Sequence, residues 1–237
     1  MQRVDAPEIL DSEACSPSDA QAVLEVIGRV NRWFGGIATT EKMVERVARV
    51  TGTNCFSLLE VAAGLGGVPD TVRRNLARRG ITLDVTLLDI AASHLPDGNS
   101  AAIGGDRNRR VVADALALPF CNDAFDLVSC NLFAHHLDPL RLGQFVREGL
   151  RVSRRALLIN DLVRHPLHLA LAYAGYPLMR NRVAWLDGLT SVRRAYIPGE
   201  IRNMLALASP RVEISRHYLF RMGAIVWKNP IEDERVA

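Results

Sequence analysis

Lysine is nearly absent from this chain of 237 residues: only Lys42 and Lys228 occur, and arginine carries almost all the positive charge. The formal net charge is +3, and the arginines stand in scattered doublets, Arg73–Arg74, Arg78–Arg79, Arg109–Arg110, Arg154–Arg155 and Arg193–Arg194. A nucleic-acid surface gathers basic residues on one face with aromatics between them. The doublets read instead as solvated helix ends and loops, and no nucleic-acid partner is expected. Cysteine is scarce too. Cys15, Cys55, Cys121 and Cys130 form no CxxC pair and no Cys/His cluster, so zinc is disfavoured and no metal is expected. Cys130 lies in an apolar run and reads as a small core residue. Long apolar runs are missing as well. The longest, residues 166–179, is too short to span a bilayer and contains His168. Asp5, Glu8, Asp11 and Glu13 interrupt the N-terminus and leave no signal-peptide pattern. The expectation is a soluble, cytoplasmic protein without stable membrane insertion.

What the chain does have is a core. Hydrophobic residues make up 49% and charged residues 23%, the balance of one compact domain with room for a short appended segment. Residues 1 to about 15 read as an irregular arm. Ser16-Pro17-Ser18-Asp19 is a helix start, with an N-cap candidate, a proline in the first turn and an acid near the positive end of the dipole. Val23, Leu24, Val26, Ile27, Val30 and Phe34 follow at helical spacing, closed by Gly35-Gly36. A second helix is predicted over 40–50.

Thereafter strands and helices alternate. Strands are predicted at 56–62, 82–88, 110–112, 125–131 and 156–159, with helices at 70–79 and 137–152 between them. Such repetition argues for an α/β fold with a parallel sheet covered by helices on both faces. After a helix at 198–207, strands at 212–218 and 224–228 are joined by only a few residues. Parallel neighbours need a long crossover and antiparallel ones only a hairpin, so the last strand is predicted to be antiparallel. Residues 162–197 are the one long insertion and are predicted to form a helical cap. The organisation expected is an N-terminal arm and helices over 1–53, forming part of a lid, and a ligand-binding domain over 54–237.

The sharpest local feature is Leu58-Leu59-Glu60-Val61-Ala62-Ala63-Gly64-Leu65-Gly66-Gly67. A buried strand running into small residues and then a helix lets backbone approach a ligand closely, although a tight turn without a ligand has the same look. Asp89 ends the second strand, where a carboxylate can accept both hydroxyls of a ribose. Asp114 follows the third strand, where it can accept from an adenine amino group. Lone acids at strand ends often only cap the next helix. Ligands of open α/β sheets, however, bind outside the carboxyl ends of the strands, and all three features fall there.

On these residues the chain resembles the class I S-adenosylmethionine-dependent methyltransferase family, in its small-molecule, UbiE-like branch, over about residues 54–160 and 198–228. Glu60 to Gly66 resembles the family's first motif, Asp89 its ribose-binding acid, and Asp114-Ala115 its adenine-contacting pair. Residues 115–128 resemble its "DA-x-x-LPF…FD-x-V" run, and 131–137 the segment after the fourth strand that faces cofactor and substrate. The resemblance implies a Rossmann-like, seven-stranded, mostly parallel sheet with an antiparallel last strand. It also implies S-adenosylmethionine bound by Glu60, Ala62, Ala63, Gly64, Gly66, Asp89, Ile90, Asp114, Ala115 and Asn131. One departure is Ala62, where the family usually has its first glycine; another is Glu60 for the commoner aspartate. A nicotinamide oxidoreductase is a rival reading of Gly64-Leu65-Gly66 and Asp89. Against it, Pro69 stands where the third glycine belongs, and no Tyr-x-x-x-Lys pair is present. A cofactor-binding partner protein without catalysis is a further alternative.

Methyl transfer from a sulfonium leaves the protein to align nucleophile, methyl and sulfur, worth roughly 7–11 kcal/mol. A general base adds about 10²–10⁴-fold, and His135 or His136 is the candidate base; the pair equally suits ordering its loop and capping the next helix. His165 and His168 read as surface or cap residues. Arg32, Trp33, Arg194 and Tyr196 are the candidate substrate contacts. Together with the apolar run from Leu167 to Tyr176 they suit a small, lipophilic aromatic or polyketide-like acceptor, though the same side chains suit simple packing of the cap. A homodimer is compatible with the sequence.

Overall fold

The computed structural model of the protein describes residues 1–10, 16–96 and 109–228; Cys15 lies outside them. Helix α1 (Pro17–Trp33) starts as its sequence dictates, with the Ser16 hydroxyl accepting the Asp19 N–H. Helix α2 spans Gly36–Thr51, four residues earlier than the expected start at Thr40. Gly35, at φ 76°, is its N-cap, so the glycine pair that ends α1 also launches α2.

The alternating segment is β1 (Cys55–Val61), α3 (Gly67–Ala77), β2 (Thr82–Asp89), β3 (Arg109–Val112), β4 (Phe125–Asn131), α4 (Pro139–Val152) and β5 (Ser153–Leu162). A helical insertion follows, made of α5 (Pro166–Ala174), α6 (Tyr176–Met179) and α7 (Arg182–Arg194). Helix α8 (Pro198–Ala206) and the hairpin β6 (Val212–His217) and β7 (Arg221–Trp227) complete the described chain. Strand β5 is longer than the expected 156–159, because β7 pairs along it as far as Leu162. That pairing buries Asn160 and Asp161 within the strand. Helix α3 begins at Gly67, before the expected Asp70, since the positive φ of Gly66 (68°) completes the turn and makes that glycine the N-cap.

The seven strands are ordered β3-β2-β1-β4-β5-β7-β6. Strand β7 is antiparallel to both neighbours and the other six run one way. The sheet buries both faces. Leu58, Val85, Leu87 and Leu158 pack under Val44 and Val47 of α2 and Val72 and Leu76 of α3. Their neighbours Leu59, Val128, Leu157 and Ile159 face Phe145 of α4 and Ile201 and Leu205 of α8. Each fully buried Leu or Phe contributes roughly 1.5–3 kcal/mol, so adjacent residues on one strand stabilise opposite layers. The chain winds outward from β1 to β3 and then returns to β4 on the other side of β1. The loops after β1 and β4 therefore part, and a crevice opens at their carboxyl ends. Above it α1 meets the insertion through Val23, Val26 and Ala184, with Ile27, Val30 and Met179 around them. Among the described residues no helix is long and apolar enough to cross a membrane.

Candidate active site

The glycine turn is built by β1 and β2 together. After β1 the chain turns sharply: Ala62, Gly64 and Gly66 have φ of 52°, 50° and 68°. Gly66 is needed twice over, since a Cβ there would lie 2.6 Å from Leu87 Cδ1. Ala62 adopts a left-handed backbone although it has a Cβ, a conformation costing an L-residue roughly 1–2 kcal/mol. The turn is tied to β2 by the Ala63 N–H on the Leu88 carbonyl (3.0 Å) and the Gly64 N–H on Asp89 Oδ2 (3.0 Å). Asp89 Oδ1 also accepts the Ala91 N–H and faces His94 Nδ1 at 3.2 Å. Burial alone would raise the Asp89 carboxyl; His94 and the two N–H groups outweigh it and hold the group below its ordinary range.

Glu60 is buried at the end of β1. Its carboxylate accepts from the Ser129 hydroxyl and from Asn131 Nδ2 (2.6 Å). Burial dominates and pushes the carboxyl up to about 7, although both hydrogen bonds act the other way. Asn131 in turn accepts from Thr40 Oγ1 (3.0 Å) and from Asn160 Nδ2 (2.6 Å), and Arg221 donates to Asn160 Oδ1 (3.0 Å). Thr40, Asn160 and Arg221 were not picked out in the sequence. Asp114 accepts the Leu116 N–H (2.8 Å) at an exposed position.

All these elements face one cavity of about 1470 Å³, lined by Glu60, Ala62, Ala63, Gly64, Gly66 and Asp89. Ile90, Asp114, Ala115 and Asn131 line it as well. So do His135 and His136, from the turn after β4, and Arg32 of α1. The volume exceeds the roughly 300–1,000 Å³ of a single small-molecule pocket.

The family model described as "Methyltransferase domain" matches residues 59–156, which hold the glycine turn, both acids and the histidine pair. The chain carries a methyltransferase domain with the Rossmann-like methyltransferase fold. Similar solved structures agree in fold. The plantazolicin methyltransferase BpumL, solved with a desmethyl substrate analogue and S-adenosylhomocysteine, has a TM-score of 0.68 at 13% identity, over 90% of this chain and 91% of its own. Magnesium protoporphyrin IX methyltransferase from Synechocystis, with bound S-adenosylhomocysteine, has a TM-score of 0.54 at 16% identity, covering 84% and 87%. The methyltransferase domain of the citrinin polyketide synthase has a TM-score of 0.50 at 15% identity, covering 73% and 47%. No curated protein matches the sequence. The methyltransferase uses S-adenosylmethionine, and the turn suits an adenosyl group. It offers a left-handed turn pressed so closely on Leu87 that Gly66 admits no side chain, with an ionised carboxylate beside it at the end of β2.

The other wall of the methyltransferase cavity departs from the sequence expectations. His135 is 2% exposed. Its Nδ1 lies 2.7 Å from Asp161 Oδ1, and its backbone N–H donates to Asp161 Oδ2 (2.9 Å). Its Nε2 faces Glu8 Oε1 at 3.4 Å. Burial opposes protonation of the ring, but Asp161 first and then Glu8 overcome it and push His135 up to about 9. Both histidines line the cavity, but His135, held protonated between Asp161 and Glu8, has no lone pair for an acceptor proton, which leaves His136 of the two expected candidates. Its Nε2 lies 3.6 Å from Glu8 Oε2.

Glu8 comes from the arm, which is strapped to the body. Arg3 donates to the carbonyls of Arg194 (2.7 Å), His135 (3.1 Å) and Leu137 (2.9 Å). Asp187 accepts the N–H groups of Ile9 and Leu10. Two of the expected substrate contacts belong to this strap. Arg194 is 6% exposed; it touches the cavity, yet its guanidinium is spent on the carbonyls of His135, His136 and Ala6. Tyr196 is buried away from the cavity, its hydroxyl donating to the Leu137 carbonyl (2.7 Å) under Arg3. Trp33 is 52% exposed and does not line the cavity, whereas Arg32 borders it from an exposed position. Of the other histidines, His165 accepts the Leu167 N–H at the start of α5, and His168 faces the cavity, stacked on Phe220.

Proposed function

We propose that this methyltransferase transfers a methyl group to a small, mostly apolar, hydroxyl- or enol-bearing acceptor, aromatic or polyketide-like, at oxygen or carbon. The observation that carries the reading is one cavity with two unlike walls. The glycine turn and acids form one. The histidine turn and apolar side chains from the lid, including Leu24, Ile27, Leu171, Leu178 and Met179, form the other. In this reading Asp89 accepts the ribose hydroxyls and Asp114 the adenine amino group. Glu60, Ala62, Ala63, Gly64, Gly66 and Asn131 hold the methionine portion, while Ile90 and Ala115 pack on the adenosine. Bound S-adenosylmethionine supplies a methyl carbon on a sulfonium sulfur. The chain's own part is to exclude water, to align the acceptor and to take its proton on the histidine side. Within residues 1–53, the arm at Glu8 and α1 form part of a lid over that acceptor together with the insertion, while α2 packs under the sheet.

The acceptors named for the similar structures are a monoazolic desmethyl-plantazolicin analogue and magnesium protoporphyrin IX. They are compatible with a roomy, apolar acceptor half. Calorimetry with S-adenosylhomocysteine and NAD should give binding of the first alone. Labelled S-adenosylmethionine offered with phenolic lipids, quinols, polyketide-like enols and hydrophilic amines should then label the first three. Transfer confined to the hydrophilic amines would overturn the acceptor class.

A further inference from the structure

Glu8, His135 and His136 bring one carboxylate and two imidazoles together with their ligand atoms within 4.8 Å of one another. We propose that these three side chains bind a divalent transition-metal ion of the zinc type, with Asp161 as the outer partner of His135 and the remaining position open to the acceptor. The inference rests on the reading of this wall as the acceptor side.

Four observations support it. The first is spacing. Two ligands about 2.0–2.1 Å from one tetrahedral ion stand roughly 3.3 Å apart. Glu8 Oε1 lies 3.4 Å from His135 Nε2 and Glu8 Oε2 3.6 Å from His136 Nε2, long for hydrogen bonds, so one ion between the carboxylate and the two rings needs only a small inward shift of these atoms. The second is an orphaned donor atom. His135 Nε2 is fully buried and points into the cluster, where Glu8 Oε1 at 3.4 Å is its one neighbour among the ion pairs and no well-formed hydrogen bond is made. The third is orientation. The Asp161 carboxylate, 2.7 Å from His135 Nδ1, fixes that ring so that Nε2 is the atom offered. This is the carboxylate–histidine–metal arrangement that sets tautomer and ligand basicity. The fourth is access. All three side chains line the methyltransferase cavity, so a fourth position would face a bound acceptor rather than protein. Two imidazoles and a carboxylate with an open position suit a catalytic rather than a closed structural site.

A metal here would bind the acceptor hydroxyl and lower its pKa. The O–H proton would pass to water and the oxygen pair would form the bond to the methyl carbon. The C–S pair would stay on sulfur, leaving S-adenosylhomocysteine. The sequence hid this site because Glu8 lies more than a hundred residues from the histidines.

The full chain, stripped with a chelator, should be titrated with Zn²⁺ and with Co²⁺. Elemental analysis should find one ion per chain, and Co²⁺ should show the visible absorption of a tetrahedral N/O site. E8Q and H136A should each weaken Zn²⁺ binding at least tenfold. D161N should weaken it about 10–100-fold, the usual loss for an outer-shell partner. Each variant should bind S-adenosylhomocysteine as the parent does, which certifies its fold. Sub-stoichiometric ion, or Zn²⁺ affinity unchanged in both E8Q and H136A, overturns the metal site. If methyl transfer to hydroxyl acceptors then persists in the chelator, the cluster is an ion-pair network with His136 as base, and the proposed function stands. One tight ion lost in E8Q, in a protein that labels no hydroxyl or enol acceptor, sinks the acceptor reading and keeps the metal.

Discussion

The two walls of the cavity are assembled in opposite ways. The glycine-turn wall comes from one stretch of chain, Glu60 to Asn131, in which each functional residue ends a strand or follows one. The histidine wall draws on the arm at Glu8, the turn at His135 and His136, β5 at Asp161 and the insertion at Ser191 and Arg194. The first is fixed by strand pairing. The second depends on a strap of side chain to backbone contacts across more than a hundred residues. Disturbing one wall should leave the other nearly untouched, and that independence can be attacked directly.

The largest effect is expected at Glu60. Burial lifts its carboxyl from 4.5 to about 7, so between those values the folded chain keeps a proton that the unfolded chain has released. Stability must therefore fall as pH rises from about 4.5 to about 7 and level off above. Glu60→Gln removes the penalty while keeping neutral partners for Ser129 and Asn131. By pH 8 it should be more stable than the parent by up to about 3 kcal/mol, with little gain at pH 4. Urea unfolding across this range tests it, and a gap independent of pH refutes the buried-acid account.

Next is Asp89→Ala, which deletes the proposed ribose acceptor and the tie to Gly64. S-adenosylhomocysteine affinity should drop about 100-fold by calorimetry, in keeping with loss of charge-assisted hydrogen bonds; unchanged affinity removes the ribose assignment. Arg3→Ala, which loosens the strap, should lower turnover about tenfold with cofactor affinity within twofold. A matching loss of affinity would show that the two walls are coupled. The smallest effect is expected for Ala62→Gly. Relieving a positive φ on alanine, partly offset by the entropy of glycine in the unfolded chain, should raise stability by about 0.5–1 kcal/mol. Thermal unfolding that shows a loss instead would mean that the Ala62 methyl packs usefully.

The alternation of apolar runs and the glycine turn, with acids at strand ends, decided the sheet, its antiparallel β7 and the glycine-turn wall, because periodicity and turn chemistry act over a few residues. Element ends were less legible. Whether β5 stops at 159 or continues to Leu162 depends on how far β7 overlaps it, which is a property of the pairing rather than of either strand. Only the tertiary structure decided the histidine wall. Nothing local tells Arg194 and Tyr196 to bury their polar groups on the histidine turn, marks Asp161 as the partner of His135, or brings Glu8 to both rings. Buried polar atoms take whatever partners the packed fold delivers, and here it delivers them from the far ends of the chain.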